Sequence, residues 1–190
     1  MPSGGRRDDR HNTRLRGRGD LRPTAAKVRD ALFNSLRTSI SGVSVLDLFA
    51  GTGTLGLEAL RRGAARVVLV EHDRRHAAAL RARIASEGLE REAVVWCEDA
   101  ADAIERLARA GDRFDLILLD PPYGHGWLPR ALAALVRTGL LSPGGLIVAE
   151  GHWRDRPEPP EGLALSREAR YGETVLWYFW DHSGRDAGEE

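Results

Sequence analysis

Cysteine occurs once in the 190 residues, as Cys97. One thiol excludes an intrachain disulfide and any metal cage built from cysteines. At the end of an apolar run it reads as packing rather than as a nucleophile. No apolar stretch approaches the roughly 20 residues that a bilayer-spanning helix needs. The arginine-rich start also lacks the apolar core of a secretory signal, so the expected compartment is the reducing cytoplasm. Lysine is almost missing: of 28 basic residues only Lys27 is one, the rest being arginine. That ratio fits a GC-rich coding bias as readily as it fits function. Internal repeats are absent, and the length gives one well-cored domain rather than two.

The net charge of zero hides an asymmetry. Residues 1–37 hold ten basic and four acidic side chains, a balance of +6 that the remainder of the chain offsets. Such clustering leaves a nucleic-acid partner open. Residues 1–20 are polar, glycine-bearing and without apolar periodicity, which is the pattern of a flexible basic arm. A single domain is expected over 21–181, followed by a polar tail over 182–190. Within the domain, Val28, Leu32 and Leu36 recur on one helical face with Phe33 beside them, and Pro23 is tolerated near the helix start.

An alternation of strands and helices follows. "VSVLDLF", "RVVLVE", "AVVWC", "FDLILLD" and "GGLIVAE" read as five buried strands. Helices are expected over 54–62, after the cap Asp73, around 101–110 and over 128–137, with Gly63 and Gly88 as stops. This pattern describes an α/β, doubly wound, mostly parallel sheet. "LALSREARYGETVLWYFW" has no room for a helix and reads as an antiparallel hairpin closing the sheet. Trp177 and Phe179 should face one side of it, and Leu176, Tyr178 and Trp180 the other. Buried packing is the expectation for these aromatics, rather than a platform for stacking bases.

Gly51-x-Gly53-x-x-Gly56 has the spacing of a dinucleotide-binding loop, but glycines shape a backbone without naming its ligand. Ligands of open parallel sheets sit beyond the carboxyl ends of the strands. Asp47, Glu71, Asp99 and Asp120 fall at such ends. Glu71, 20 positions after Gly51, stands where a ribose-binding acid belongs for a dinucleotide or for S-adenosylmethionine. Asp47 favours the second ligand, because a pyrophosphate would dislike the carboxylate and a cationic amino-acid portion would welcome it. Asp99 is then placed to accept from the adenine amine. Spacing alone leaves the dinucleotide open.

Asp120-Pro121-Pro122-Tyr123 argues further for methyl transfer. An exocyclic amine on a purine is a poor nucleophile because its lone pair is delocalised into the ring. An enzyme that accepts its N–H bonds favours pyramidal nitrogen. Asp120 supplies one acceptor and a proline carbonyl another, while the prolines fix the φ angles that hold them in place. Tyr123 offers a flat face to the base.

With these residues in view, "DLFAGTGTLGLEAL", "EHD", "EDA" and "DPPY" resemble the class I S-adenosylmethionine-dependent methyltransferases of exocyclic amines. "LRPTAAKVRDALFNSL" and "REARYGETVLWYF" narrow the resemblance to the bacterial 16S rRNA guanine-N2 methyltransferases of the RsmD type, from about Leu21 to Trp180. That resemblance implies a Rossmann-like sheet of seven strands with the last antiparallel. It implies methylation of a guanine in a small-subunit assembly intermediate, and Arg22, Pro23 and Thr24 closing over the methionine end of the cofactor or facing the substrate. The expected cofactor set is Asp47, Phe49, Ala50, Gly51, Gly53, Glu71, His72, Asp99 and Ala100, with Thr24. Arg14, Arg16, Arg18 and Arg22 are the expected RNA contacts, although upstream of Leu21 only "RLRGRGD" keeps the look of the family.

His72, His125 and His152 have no metal-ligand spacing, so no metal is expected, and a monomer is the default. Three rivals stay open: an N-methyltransferase of adenine N6 or of a release-factor glutamine, a dinucleotide-dependent oxidoreductase, and a non-catalytic RNA-binding module.

Overall fold

A computed structural model describes residues 21–36, 40–122, 124 and 126–181; the side chains of residues 21–25 are not described. The expected flexible arm over 1–20 and the tail over 182–190 lie outside these residues.

The chain opens with α1 (Leu21–Leu36) and then alternates: β1 (Ser44–Asp47), α2 (Thr54–Arg61), β2 (Arg66–Val70), α3 (Arg74–Glu87), β3 (Ala93–Trp96), α4 (Ala100–Arg109), β4 (Phe114–Leu119), α5 (Trp127–Thr138) and β5 (Leu141–His152). A short 3-10 turn, Trp153–Asp155, leads to β6 (Leu163–Tyr171) and β7 (Thr174–Asp181). The seven strands form one sheet in the order β3-β2-β1-β4-β5-β7-β6. The first five run parallel, and β7 lies antiparallel between β5 and β6.

Alternate residues of each strand feed two separate cores. On one face Leu46, Ile117, Leu119, Ile147, Trp177 and Phe179 pack under α4 and α5. On the other, Val45, Leu116, Leu118, Val148, Leu176 and Tyr178 pack under α1, α2 and α3. The hairpin aromatics thus divide between the faces as the period of two requires, and both sets are covered by helices rather than free for base stacking. In α1, Val28, Leu32, Phe33 and Leu36 are all buried. Ser35 Oγ and Tyr178 Oη, 3.0 Å apart, fasten that helix to the sheet.

Caps fall where the residue types predict. Asp73 accepts from the main-chain N–H groups of Arg75 and His76, and Gly88 ends α3 in the left-handed conformation. One strand departs from expectation. β5 begins at Leu141 rather than Gly144, because Leu141 pairs with Phe114 before the register shifts to Leu116–Leu146. It also continues to His152, because Gly151 and His152 pair with Val175 and Thr174 of β7. No helix among the described residues is long and apolar enough to cross a membrane.

Candidate active site

The strand order reverses between β1 and β4, and crossovers leave that point in both directions, which opens a crevice above their carboxyl ends. A cleft of about 400 Å³ lies there. Phe49, Gly51, Glu71, His72, Asp99, Ala100 and Asp120 line it together with Pro122 and Trp127.

Each glycine of the loop serves a different physical need. Gly51 has φ 52°, and a side chain there would meet no atom within 4 Å, so its main chain is open to the cleft. Gly53 has φ 75°, and a Cβ would fall 2.4 Å from Leu80 Cδ1. Gly56 lets α2 settle on the sheet, since a Cβ would lie 2.7 Å from Leu69 Cδ2 and 3.1 Å from Asp47 Oδ2. The loop is further tied by Ala50 N–H donating to Val70 O at 2.8 Å and by Arg83 reaching Thr52 O at 3.2 Å.

Glu71 is buried and holds two turns at once. Its Oε2 accepts from Gly51 N–H at 2.8 Å and its Oε1 from Asp73 N–H at 2.7 Å. His72 Nδ1 is 3.2 Å from the same Oε1, with its ring exposed. Each carboxylate oxygen accepts more than one hydrogen bond, so Glu71 keeps capacity for a ligand while it shapes the loop. Asp99 caps α4 by accepting from Ala101 N–H at 2.8 Å and lines the cleft.

Asp47 is placed differently from the other acids. Strand alternation turns it toward α2, where it is buried and accepts from Gly56 N–H at 2.9 Å. It therefore lies beneath the loop, not on the cleft wall. Burial pushes its carboxyl up to about 7, with the nearby charges of Asp120 and Glu71 adding to the effect and the Gly56 hydrogen bond opposing it. Asp120 opens onto the cleft, yet the surrounding walls strip away enough water to push its carboxyl up to about 6.

A second cleft of about 280 Å³ adjoins the first and shares Pro122 and Trp127 with it. Its walls include Pro121, Gly126, Leu128, Glu150, Gly151 and Arg154. The Asp120–Pro122 segment thus stands on the divide between two chambers, one beside the glycine loop and one beyond it.

Residues 4–180 match the family described as Conserved hypothetical protein 95. Ribosomal RNA small subunit methyltransferase D of Escherichia coli (strain K12) is 36% identical over 156 residues, covering 82% of this chain and 77% of that protein. The solved structure of yhhF from Escherichia coli has a TM-score of 0.76 at 34% identity, covering 85% of this chain and 88% of that one. The chain belongs to the RsmD family of methyltransferases. A more distant structure, SMU.776 complexed with SAH, shares the fold at a TM-score of 0.64 and 19% identity, covering 81% of this chain and 48% of that one.

The geometry of this RsmD-type chain brings together Phe49, Gly51, Glu71, His72, Asp99, Ala100, Asp120 and Pro122 on one cleft, with Pro121 on the neighbouring one. Ala50 and Gly53 are buried in the loop that shapes it. Tyr123, Arg14, Arg16 and Arg18 lie outside the described residues, as do the side chains of Arg22 and Thr24; the main chain of the latter two is in α1. Trp127 and Glu150 are among the cleft residues that the sequence reading did not single out. Trp127 begins α5 and meets Phe49 edge-on, ring centroids 6.1 Å apart, with Arg130 over its other side at 4.7 Å. Glu150 follows the same rule as the other acids, standing near the carboxyl end of β5, but no glycine or proline motif marks it.

Proposed function

We propose that this protein transfers a methyl group from S-adenosylmethionine to the exocyclic N2 amine of a guanine in 16S rRNA, within a small-subunit assembly intermediate. One observation carries the reading: Asp120 sits at a strand end on the divide between two clefts, followed by two prolines. Family membership supports the methyltransfer and leaves the dinucleotide oxidoreductase without support. The name of the E. coli relative, a ribosomal RNA small subunit methyltransferase, supports the small-subunit rRNA as substrate.

The residues present fit the cofactor. Gly51 leaves main chain open to the cleft, Glu71 offers a buried carboxylate, and Leu48, Phe49, Val70 and Ala100 give an apolar lining. In this reading Glu71 holds the ribose hydroxyls and Asp99 the adenine amine, with His72 at the rim. When bound, the cofactor supplies an electrophilic methyl on a positively charged sulfur. Asp120 accepts an N–H of the incoming amine, which keeps the nitrogen lone pair out of the ring system and directs it toward the glycine-loop cleft. Above pH 6 its carboxyl is mainly ionised and acceptor-only, the state this task needs. Pro121 and Pro122 hold the acceptor still, so little reorganisation is left for the moment of reaction. Tyr123 is assigned to stacking on the base.

The test is methylation of extracted and ribosome-bound 16S rRNA with labelled S-adenosylmethionine, followed by nucleoside mapping. Asp120→Ala should keep S-adenosylhomocysteine affinity and lower turnover by roughly a hundredfold or more, as for a lost transition-state acceptor. Near-native turnover in that variant would overturn the mechanism.

A further inference from the structure

The cleft beyond Asp120 holds a second carboxylate, that of Glu150. Glu150 is half-buried near the end of β5, and its carboxylate makes no hydrogen bond or ion pair among the described residues. The charge that acts on it is Asp120, of the same sign, and burial together with that repulsion pushes Glu150 up to about 7. An unpaired, partly desolvated carboxylate beside another carboxylate weakens a fold. Its presence therefore calls for a ligand with donors.

Glycine, proline and aromatic groups line the chamber with it. Gly151 forms part of the floor, and a Cβ there would lie 2.7 Å from Trp177 Cζ3 and 3.2 Å from Leu128 Cδ1. The main chain of Gly151 therefore packs directly against a buried indole. Pro121, Pro122 and Trp127 also line it, with Arg154, Asp155 and Arg156 among the remaining lining residues. About 280 Å³ is at the lower end of ligand-pocket volumes, room for one base rather than for a run of nucleotides.

Guanine carries N1–H and N2–H side by side, an edge made only of donors. An ionised carboxylate is made only of acceptors. Two carboxylates on adjoining walls complement that edge and repel a base whose N1 presents a lone pair, which is discrimination by mismatch as well as by attraction. We infer that Glu150 reads the target guanine by accepting its N1–H in this chamber, while Asp120 accepts from the N2 amine. The inference rests on the guanine-N2 reading above and adds the residue that makes the site specific for guanine.

The test is run at pH 8, where both carboxyls are mainly ionised, with the full chain and 16S rRNA carrying, at the nucleotide the enzyme modifies, guanine, 1-methylguanine or 2-aminopurine. All three keep the N2 amine; 1-methylguanine loses the N1–H, and 2-aminopurine presents a lone pair there. The wild-type enzyme should favour guanine over each by at least about a hundredfold, with about 10⁴–10⁵ the range reached by sites built to hydrogen-bond the missing group. Glu150→Gln keeps the size and adds an N–H donor. It should reduce the guanine to 2-aminopurine rate ratio at least tenfold, with S-adenosylhomocysteine affinity unchanged by calorimetry. Comparing ratios between enzymes cancels the intrinsic nucleophilicity of the analogue. If wild-type product is not N2-methylguanosine, the guanine reading and this inference both fall. If it is, equal wild-type rates on guanine and 1-methylguanine overturn the role of Glu150 alone, and so does an unchanged ratio in Glu150→Gln.

Discussion

Asp47 and Glu71 are both acids at strand ends, and their surroundings give them different work. Glu71 has main-chain donors on both oxygens, from Gly51 and Asp73. Asp47 has Gly56 on Oδ2, while its Oδ1 is buried with no hydrogen bond within normal distance and angle among the described residues. Its folded-state value of about 7 lies above the ordinary 3.8, so its favourable contribution is complete below about pH 4 and is lost as pH rises through 7. The gap is worth at most roughly 4 kcal/mol. Asp47→Asn keeps an acceptor for Gly56 and removes the charge. Without ligand, this variant should be more stable than wild type at pH 8 by about 1–3 kcal/mol, and the difference should vanish near pH 4. Urea unfolding at the two pH values checks this; a pH-independent difference would show that Asp47 is not the group being titrated. The position of Glu71 was legible in the sequence because its spacing from Gly51 is fixed by one β-α-β unit. The burial of Asp47 was not, because an acid at a strand end says nothing of its side until the pairing fixes the alternation. Glu150 carried the same end-of-strand signal without a turn motif after it, and chemistry was sought where motifs stood.

Among the elements, the β-α units were legible because their signals agree: apolar runs of strand length, capping acids and helix-stopping glycines occur in one order. β5 was read short because Ser142-Pro143-Gly144 looks like a turn, whereas its residues bridge an irregular register between Leu141 and Leu146. The loop between β1 and α2 yields a test of how its glycines differ. Gly51→Ala meets no steric contact and should cost only the left-handed backbone penalty, about 1–2 kcal/mol. Gly53→Ala carries the same penalty and also drives a methyl into Leu80, which packs α3 against the sheet. Overpacking adds about 1–3 kcal/mol. Thermal or urea unfolding should therefore rank Gly53→Ala well below Gly51→Ala, while the place of Gly51 on the cleft wall makes its methyl the one more felt by S-adenosylhomocysteine. Equal stabilities would mean that Leu80 yields freely and that the loop is looser than its contacts indicate.

At the scale of the whole molecule, charge is sorted along the chain and then concentrated by the fold. Residues 1–37 carry +6, and the rest carries the balancing −6. Part of that negative charge gathers at the switch point, where Asp47, Asp120 and Glu150 have carboxyl values pushed up to about 7, 6 and 7 by burial. Parallel pairing of β1 and β4 brings Asp47 and Asp120 to the same end of the sheet, and β5 adds Glu150. These acids are ordinary in sequence and become a field only when the crossovers stack their strand ends together, so this property was not legible residue by residue. The field distinguishes two ligands that differ by one charge. S-adenosylmethionine has a sulfonium, and S-adenosylhomocysteine a neutral thioether. As pH rises from 5.5 to 8 the three carboxyls ionise, and each negative charge favours the sulfonium over the thioether. The affinity of the first ligand relative to the second should then increase by about tenfold, equivalent to about 1.4 kcal/mol, a fraction of the Coulomb energy of one close pair near a protein surface. Taking the ratio removes the titration of the amino-acid portion, which both ligands share. Calorimetric titrations of the two ligands at pH 5.5 and pH 8 measure it directly. A ratio that does not change with pH would mean that these carboxyls face away from the sulfur, leaving Asp120 as an acceptor for the amine but removing the cluster as a reason for the cofactor's choice of site.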